Sequence, residues 1–312
     1  MNATPTMYAA QAHSADPADL RYEQVARPVP GSGEILVAVH ATAVTAGELS
    51  WSDTWPLIPA HDLSGVVAEL GPGASGFEIG DQVYGLIGFD RPGAAAEYVA
   101  VPADQLAAKP QSVDHVAAAT VPLGALTAWQ ALVDHAKVGA GQHVLVHGGA
   151  GGVGSYAVQL AAYLGATVTA TASAADADYV TGLGAHTVID YRSPFEDQVR
   201  DVDVVIDTVG GRTLARSWSV LRPGGTLVGV ADGPPAEDAE RHGVRGVYFV
   251  VAPSADQLGE LARQVDSGAL RPMLGPVYPL SETATAVINQ RDQHIRGKVA
   301  IRVQPDGGTP VG

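Results

Sequence analysis

Gln142-His-Val-Leu-Val-His-Gly148-Gly-Ala-Gly-Gly-Val-Gly154-Ser-Tyr-Ala-Val-Gln-Leu-Ala-Ala-Tyr-Leu-Gly165 is the stretch whose reading decides the fold. Val144, Leu145 and Val146 stand in a row, as in a short strand buried on both faces. Gly149, Gly151 and Gly154 then give Gly-x-Gly-x-x-Gly. Val153, Ala157, Leu160, Ala161 and Leu164 follow at helical spacing, and Gly165 supplies the stop. Strand, glycine turn and helix in this order form a dinucleotide-binding fingerprint. Glycines keep the turn tight and let backbone N–H groups approach a pyrophosphate, and the helix N-terminus behind them carries roughly half a positive charge. Ala150, Gly151, Gly152 and Val153 are therefore the expected cofactor-binding residues of the turn.

Working outward, the whole chain has 312 residues, enough for two domains and an ample core. Its 46% hydrophobic and 16% charged residues describe a globular chain. The net charge of −15 argues against nucleic acid or an anionic membrane surface as partner, so an anionic dinucleotide must rely on local donors. The chain has no cysteine, which excludes disulfides and any thiolate-ligated zinc. Residues 1–14 lack the basic and apolar regions of a signal peptide, and no run approaches the roughly 18 apolar residues of a membrane span. A cytoplasmic protein is the expectation.

Residues 1 to about 120 read as β-rich. Residues 34–40 alternate as a half-buried strand does, residues 63–70 and 95–101 read as further strands, and Gly80-Asp81 turns into a strand ending at Tyr84. Many short strands with Gly/Pro turns suggest a barrel-like domain. Helical character starts at Val113 and continues through residues 126–133. Strands at residues 167–172, 187–190, 202–207, 226–230 and 247–251 then alternate with helices at 176–183, 214–221 and 258–270. The fold expected is α/β: a Rossmann doubly wound parallel sheet with right-handed crossovers beside a β-barrel domain. Residues 297–303 read as a strand, with turns before it, that rejoins the first domain. The Gly/Pro-rich tail from Gln304 is expected to be loose.

These motifs, laid out together, resemble the medium-chain dehydrogenase/reductase superfamily, and most of all its zinc-free quinone oxidoreductase branch. The resemblance rests on Ala60-His-Asp-Leu-Ser-Gly-Val-Val67, Gly71-Pro-Gly73, Gly80-Asp-Gln-Val-Tyr-Gly85, Ala95-Ala-Glu-Tyr-Val99, Leu126-Thr-Ala-Trp-Gln-Ala-Leu132, Gly148 to Gly154 and Leu221-Arg-Pro-Gly-Gly225. It implies a GroES-like domain at 1–120, completed by 272–312, around a Rossmann domain at 121–271, with the cofactor in the cleft between them. It also implies a homodimer joined through the edge strand near residues 247–251.

Zinc alcohol dehydrogenases, to which the chain is also similar, carry a Cys in the motif matching Val44-Thr-Ala-Gly-Glu48, where this chain has Thr45. No metal site is expected, and His61 with Asp62 reads as a hydrogen-bonded pair fixing its loop. At the end of the second Rossmann strand Ser173 replaces the acid that usually binds a ribose 2′-OH, leaving room for a 2′-phosphate. The same residue could cap the next helix. Arg192 is the candidate cation, and Tyr191 matches a 2′-phosphate contact of quinone reductases. NADPH is the cofactor expected.

The resemblance further implies that Thr127 approaches the nicotinamide, that residues 208–210 (Thr208 first), Val230, Ala231, Phe249 and Val251 line the cofactor, and that Lys298 sits near it unless it is a solvated charge. Without a metal, hydride addition to a quinone or an enone is the natural reaction, and Thr45, backbone amides or water could stabilise the developing oxyanion. Trp51 and Trp55, with Phe249, are the candidate substrate walls, and Tyr98 reads as a packed strand tyrosine. An alcohol dehydrogenase and a dinucleotide-binding protein without turnover are the competing readings.

Overall fold

The computed structural model describes residues 5–304, so the tail expected to be loose, residues 305–312, lies outside the described residues. The chain divides into two compact units, Met1–Leu123 with Ala252–Gly312, and Gly124–Val251. The second unit thus ends at Val251, earlier than the expected 271. The helix Ala255–Asp266 belongs to the first unit, where the Ser112 amide donates to Asp266 and the Tyr84 hydroxyl donates to the Leu258 carbonyl.

The first unit opens with a hairpin, β1 (Thr6–Ala12) and β2 (Leu20–Ala26), which the sequence pattern did not reveal. Its main sheet is built from β3 (Glu34–Val44), β4 (Asp62–Leu70), β5 (Gln82–Leu86), β6 (Tyr98–Pro102) and β7 (Leu106–Ala108). The returning segment adds β14 (Leu274–Pro279) and β15 (Lys298–Arg302), giving the order β14-β15-β3-β4-β5-β7, with β6 also on β3. Ahead of the strand at 297–303, where turns were expected, the chain holds β14 and the helix Thr283–Asp292. β3 is longer than expected and buried on both faces rather than one. Ile35, Val37 and Val39 pack with Leu63, Val67 and Val83, while Ala41 on the far side meets Val116 and Ala300.

The second unit contains β8 (His143–His147), β9 (Thr167–Ala172), β10 (Thr187–Asp190), β11 (Val202–Asp207), β12 (Leu221–Gly229) and β13 (Arg245–Tyr248). All pair in parallel in the order β10-β9-β8-β11-β12-β13, the doubly wound arrangement in which the first and fourth strands flank the switch point. Leu145, Val205 and Leu227 face Trp218 and Phe195 on one side of the sheet. The last strand ends at Tyr248 rather than 251, so Phe249 and Val251 lie beyond it. The helical stretch His115–His135 is long and apolar enough to cross a membrane, contrary to the sequence reading, but 83% of its apolar window is buried inside the protein, as in a core helix.

Candidate functional site

Two constellations carry the expected site residues, one in each unit. In the second unit, β8 runs into the glycine turn and then into the helix Gly154–Tyr163. Gly148 takes a positive φ of 75°, and a Cβ on Gly154 would run into the Gly148 carbonyl oxygen. At Gly151 the nearest atom to an added Cβ is the Gly148 oxygen at 3.3 Å, so that glycine faces space rather than packing. The amides of Gly149 and Gly151 are used internally, on Thr171 and Gly148. Those of Ala150, Gly152 and Val153 take no acceptor among the described residues. Three free amides at a helix N-terminus fit a pyrophosphate.

The turn is held from below by His147, which is fully buried. Ser217 Oγ donates to the Thr213 carbonyl at 2.8 Å, so His147 Nε2, 3.0 Å away, is the donor to Ser217. Nδ1 then accepts from Thr171 Oγ1 at 3.1 Å, and Thr171 accepts from the Gly148 amide at 3.2 Å. Burial pushes the His147 pKa down to about 3, so the ring stays neutral. Thr208 closes the other side by donating to the His147 carbonyl at 2.7 Å.

The residues expected at the ribose lie together at the ends of β9 and β10. The Tyr191 amide donates to the Ala172 carbonyl, which sets Tyr191 beside Ser173, and the Arg192 guanidinium lies 5.5 Å from the Tyr191 ring. Both Tyr191 and Arg192 lie at the surface. Ser173 differs from expectation. It makes no side-chain capping bond, and its hydroxyl donates to the buried Asp176 carboxylate at 2.6 Å. Its proton is therefore spent, and an acid stands behind the position that was read as acid-free. Thr127 is buried in the helix Pro122–Trp129, Val230 hydrogen-bonds back to Asp207, Ala231 is exposed, and the Phe249 ring packs on His135 with centroids 4.4 Å apart.

In the first unit, three strand ends converge. Thr45 follows β3, His61 and Asp62 stand at the start of β4, and Lys298 begins β15, whose Val299 pairs with Val44. Lys298 is not a solvated charge: at 3% exposure it lies 2.7 Å from Asp62 Oδ2 and donates to Thr45 Oγ1 at 2.9 Å. Burial pushes the Asp62 carboxyl up, while the Lys298 ammonium and the Leu123 amide, 2.7 Å from Oδ1, pull against it. His61 and Asp62 do not bond to each other as expected. His61 Nδ1 meets Glu48 Oε1 at 3.0 Å, and the same carboxylate accepts from the Thr45 amide at 3.0 Å and from the Ala60 amide.

Aromatic rings extend this network. The His61 ring lies 5.0 Å from Phe89, and Trp51 meets Phe89 edge-on at 5.4 Å. Trp51 is half exposed, whereas Trp55 packs against the core around Met7, Leu49 and Ile58, so of the two expected walls only Trp51 presents a free face. Tyr98 packs on the same core under Arg27. Phe89 and the hub role of Glu48 escaped the sequence reading. Thr45-x-x-Glu48 is a capping-box spacing that pointed to the Glu48 contact with the Thr45 amide; nothing in the sequence pointed to Phe89.

Comparison with known proteins gives the family. Residues 31–111 match the alcohol dehydrogenase GroES-like domain model, and residues 183–301 match the zinc-binding dehydrogenase model. The chain is 34% identical to a probable zinc-binding oxidoreductase, mitochondrial, of Arthroderma benhamiae, over 89% of this chain and 92% of that protein. It is 35% identical to the NADPH-dependent alkenal/one oxidoreductase, chloroplastic, of Arabidopsis thaliana, over 86% of this chain and 72% of that one. The quinone oxidoreductase from Coxiella burnetii superposes with a TM-score of 0.90 at 31% identity, covering 96% of this chain and 100% of that chain. The chain belongs to the medium-chain dehydrogenase/reductase superfamily.

Proposed function

We propose that this oxidoreductase is an NADPH-dependent reductase of quinones or α,β-unsaturated carbonyls that works without a metal. The observation that carries the reading is the buried Lys298 ammonium seated on both Asp62 and Thr45. A zinc ion there would need Asp62, Thr45, Glu48 or His61 as ligands. Asp62 is already neutralised by Lys298, the Thr45 oxygen accepts from the same cation, and Glu48 has three donors on it. Among the described residues no group of three His, Asp or Glu side chains is placed to hold a metal. The donor set does not fit a divalent cation.

When bound, the reduced nicotinamide supplies the hydride. The chain supplies the rest. Lys has only donors, so Thr45 Oγ1 accepts from Lys298 and keeps its own O–H free for a carbonyl oxygen on the substrate. The ammonium polarises that hydroxyl and favours it as a donor to developing negative charge. Trp51 and Phe89 offer flat apolar walls to a conjugated acceptor. The free amides of Ala150, Gly152 and Val153 hold the diphosphate, and Arg192 with Tyr191 favours a 2′-phosphate. The names of the Arabidopsis and Coxiella relatives support these two acceptor classes.

The reading includes a cytoplasmic enzyme acting on small molecules, in keeping with the net charge of −15. It also includes a homodimer through the edge strand β13, at whose end Tyr248 and Val250 are exposed; sedimentation giving a monomer at micromolar concentration would remove that part. The test of the activity is an absorbance screen of NADPH oxidation against quinones, short enones and enoyl thioesters. Turnover of the first two supports the reading, and turnover only of simple ketones or alcohols overturns it.

A further inference from the structure

His61 is 8% exposed, and its two ring nitrogens have opposite surroundings. Nδ1 lies 3.0 Å from Glu48 Oε1, while Nε2 is buried with no hydrogen-bond partner among the described residues. An unpaired buried polar atom is destabilising, and Nε2 is a position that a group from outside the chain can complete. Glu48 decides which nitrogen is the active one. Its carboxylate accepts from the amides of Thr45 and Ala60, so it acts as an acceptor toward Nδ1 as well, and Nδ1 carries a proton. Nε2 is then the nitrogen left to gain or release one.

The loop is built to hold this arrangement. Ala60, immediately before His61, has a φ of 71°, a left-handed conformation that is strained for a non-glycine residue. Its amide is fixed on Glu48 all the same. The same carboxylate fixes Thr45, whose hydroxyl is the carbonyl-oxygen donor, and the His61 ring lies against Phe89, which Trp51 meets edge-on. The unpartnered nitrogen, the oxyanion donor and the acceptor wall therefore belong to one contiguous network. The neighbouring charges, Asp62 and Lys298, are paired with each other.

We infer that His61 is the proton donor of the reduction, and that Glu48 is a positioning residue that orients the ring. The inference rests on the proposed reductase activity. The hydride, with both electrons, comes from the reduced nicotinamide dinucleotide and forms a C–H bond at the β-carbon of an enone. The π electrons move to the carbonyl oxygen held by Thr45. The Nε2–H bond of the imidazolium then breaks, its proton passes to the enolate, and the neutral ring regains a proton from solvent. One acceptor, one NADPH and one proton give one reduced acceptor and one NADP⁺; with a quinone the same proton goes to the hydroquinone anion.

The test compares wild type with His61→Gln and His61→Ala, using whichever of p-benzoquinone and crotonaldehyde the wild type reduces. Loss of a general acid is expected to lower kcat about 100-fold or more. The KM and the NADPH dissociation constant are expected to stay within about twofold, and added imidazole is expected to restore part of the rate in His61→Ala. Nitrogen NMR of the cofactor-free wild type is expected to place the proton of the neutral ring on Nδ1, and Glu48→Gln to abolish that preference. A His61→Gln kcat within twofold of an active wild type, or a neutral ring protonated on Nε2, overturns the inference while leaving the reductase reading intact. A wild type that oxidises no NADPH with any quinone or enone overturns both.

Discussion

The Lys298 ammonium and the Asp62 carboxylate lie 2.7 Å apart with exposures of 3% and 0%, so each neutralises the other in a dry setting. Removing one partner of such a pair leaves a buried charge uncompensated, which typically costs about 3–5 kcal/mol. Lys298→Met is therefore expected to lower unfolding stability by that order, and the double variant Lys298→Met/Asp62→Leu to recover a substantial part of it. Urea titration of the three proteins checks this; equal losses in the single and double variants would show that the pair is not coupled.

His147 makes stability depend on pH. Its pKa in the folded protein is about 3, against an ordinary 6.5, so between those values the unfolded chain binds more protons. Stability contributed by this ring is present above pH ~6.5 and falls as the pH drops toward 3, by about 2 kcal/mol at pH 5. His147→Gln is expected to flatten that part of the profile of unfolding free energy between pH 7 and pH 5. A wild-type slope that the substitution leaves unaltered would show that the ring titrates normally.

The glycines of the turn separate by role. Gly154→Ala places a Cβ on the Gly148 carbonyl and is expected to destabilise the second unit and abolish cofactor binding. Gly151→Ala meets only one atom, at 3.3 Å, and is expected to fold normally yet bind dinucleotide at least tenfold more weakly, because its methyl occupies the phosphate side. Thermal melts together with fluorescence titration distinguish the two outcomes. Equal affinity in Gly151→Ala and wild type would mean that the diphosphate lies elsewhere.

In the proposed reading, cofactor choice divides between Arg192 and Asp176. Arg192→Ala is expected to weaken NADPH about tenfold, or roughly 1.4 kcal/mol, with NADH unaffected. Asp176→Asn removes the charge behind Ser173 and is expected to strengthen NADPH. The same titrations on wild type are expected to show tighter binding of NADPH than NADH, and equal affinities would refute the assignment.

The two tryptophans are expected to fail differently. Trp51→Ala, at a half-exposed ring, raises the KM for a quinone several-fold with little loss of stability. Trp55→Ala removes a ring packed on the core and lowers stability by about 2 kcal/mol or more, with KM unchanged. Steady-state kinetics beside urea titrations of both variants measure this, and a Trp51→Ala KM equal to wild type excludes Trp51 as a wall.

The parallel sheet was legible in the sequence because each strand of the second unit is a local signal. The apolar runs at β8, β9, β10 and β11 end in turn residues, and the strand boundaries there follow directly. The β1–β2 hairpin was not, because β2 alternates exposed and half-buried polar residues with little apolar pattern. The partners of single residues were also hidden. Asp62 lies beside His61 in sequence, but as β4 begins it pairs with the lysine that opens β15, while His61 turns to Glu48. Ser173 and Asp176 show the converse, a contact only three residues apart that the reading of Ser173 as a replacement for the acid passed over.

The proposed hydride transfer needs a buried ammonium and hydroxyl and no metal. Its most direct test is the rate of NADPH oxidation by p-benzoquinone before and after exhaustive chelation, with metal content measured on the same samples. The predicted result is a rate unchanged by chelation and unchanged by added zinc. A rate that falls with the metal and returns stoichiometrically with zinc would contradict it.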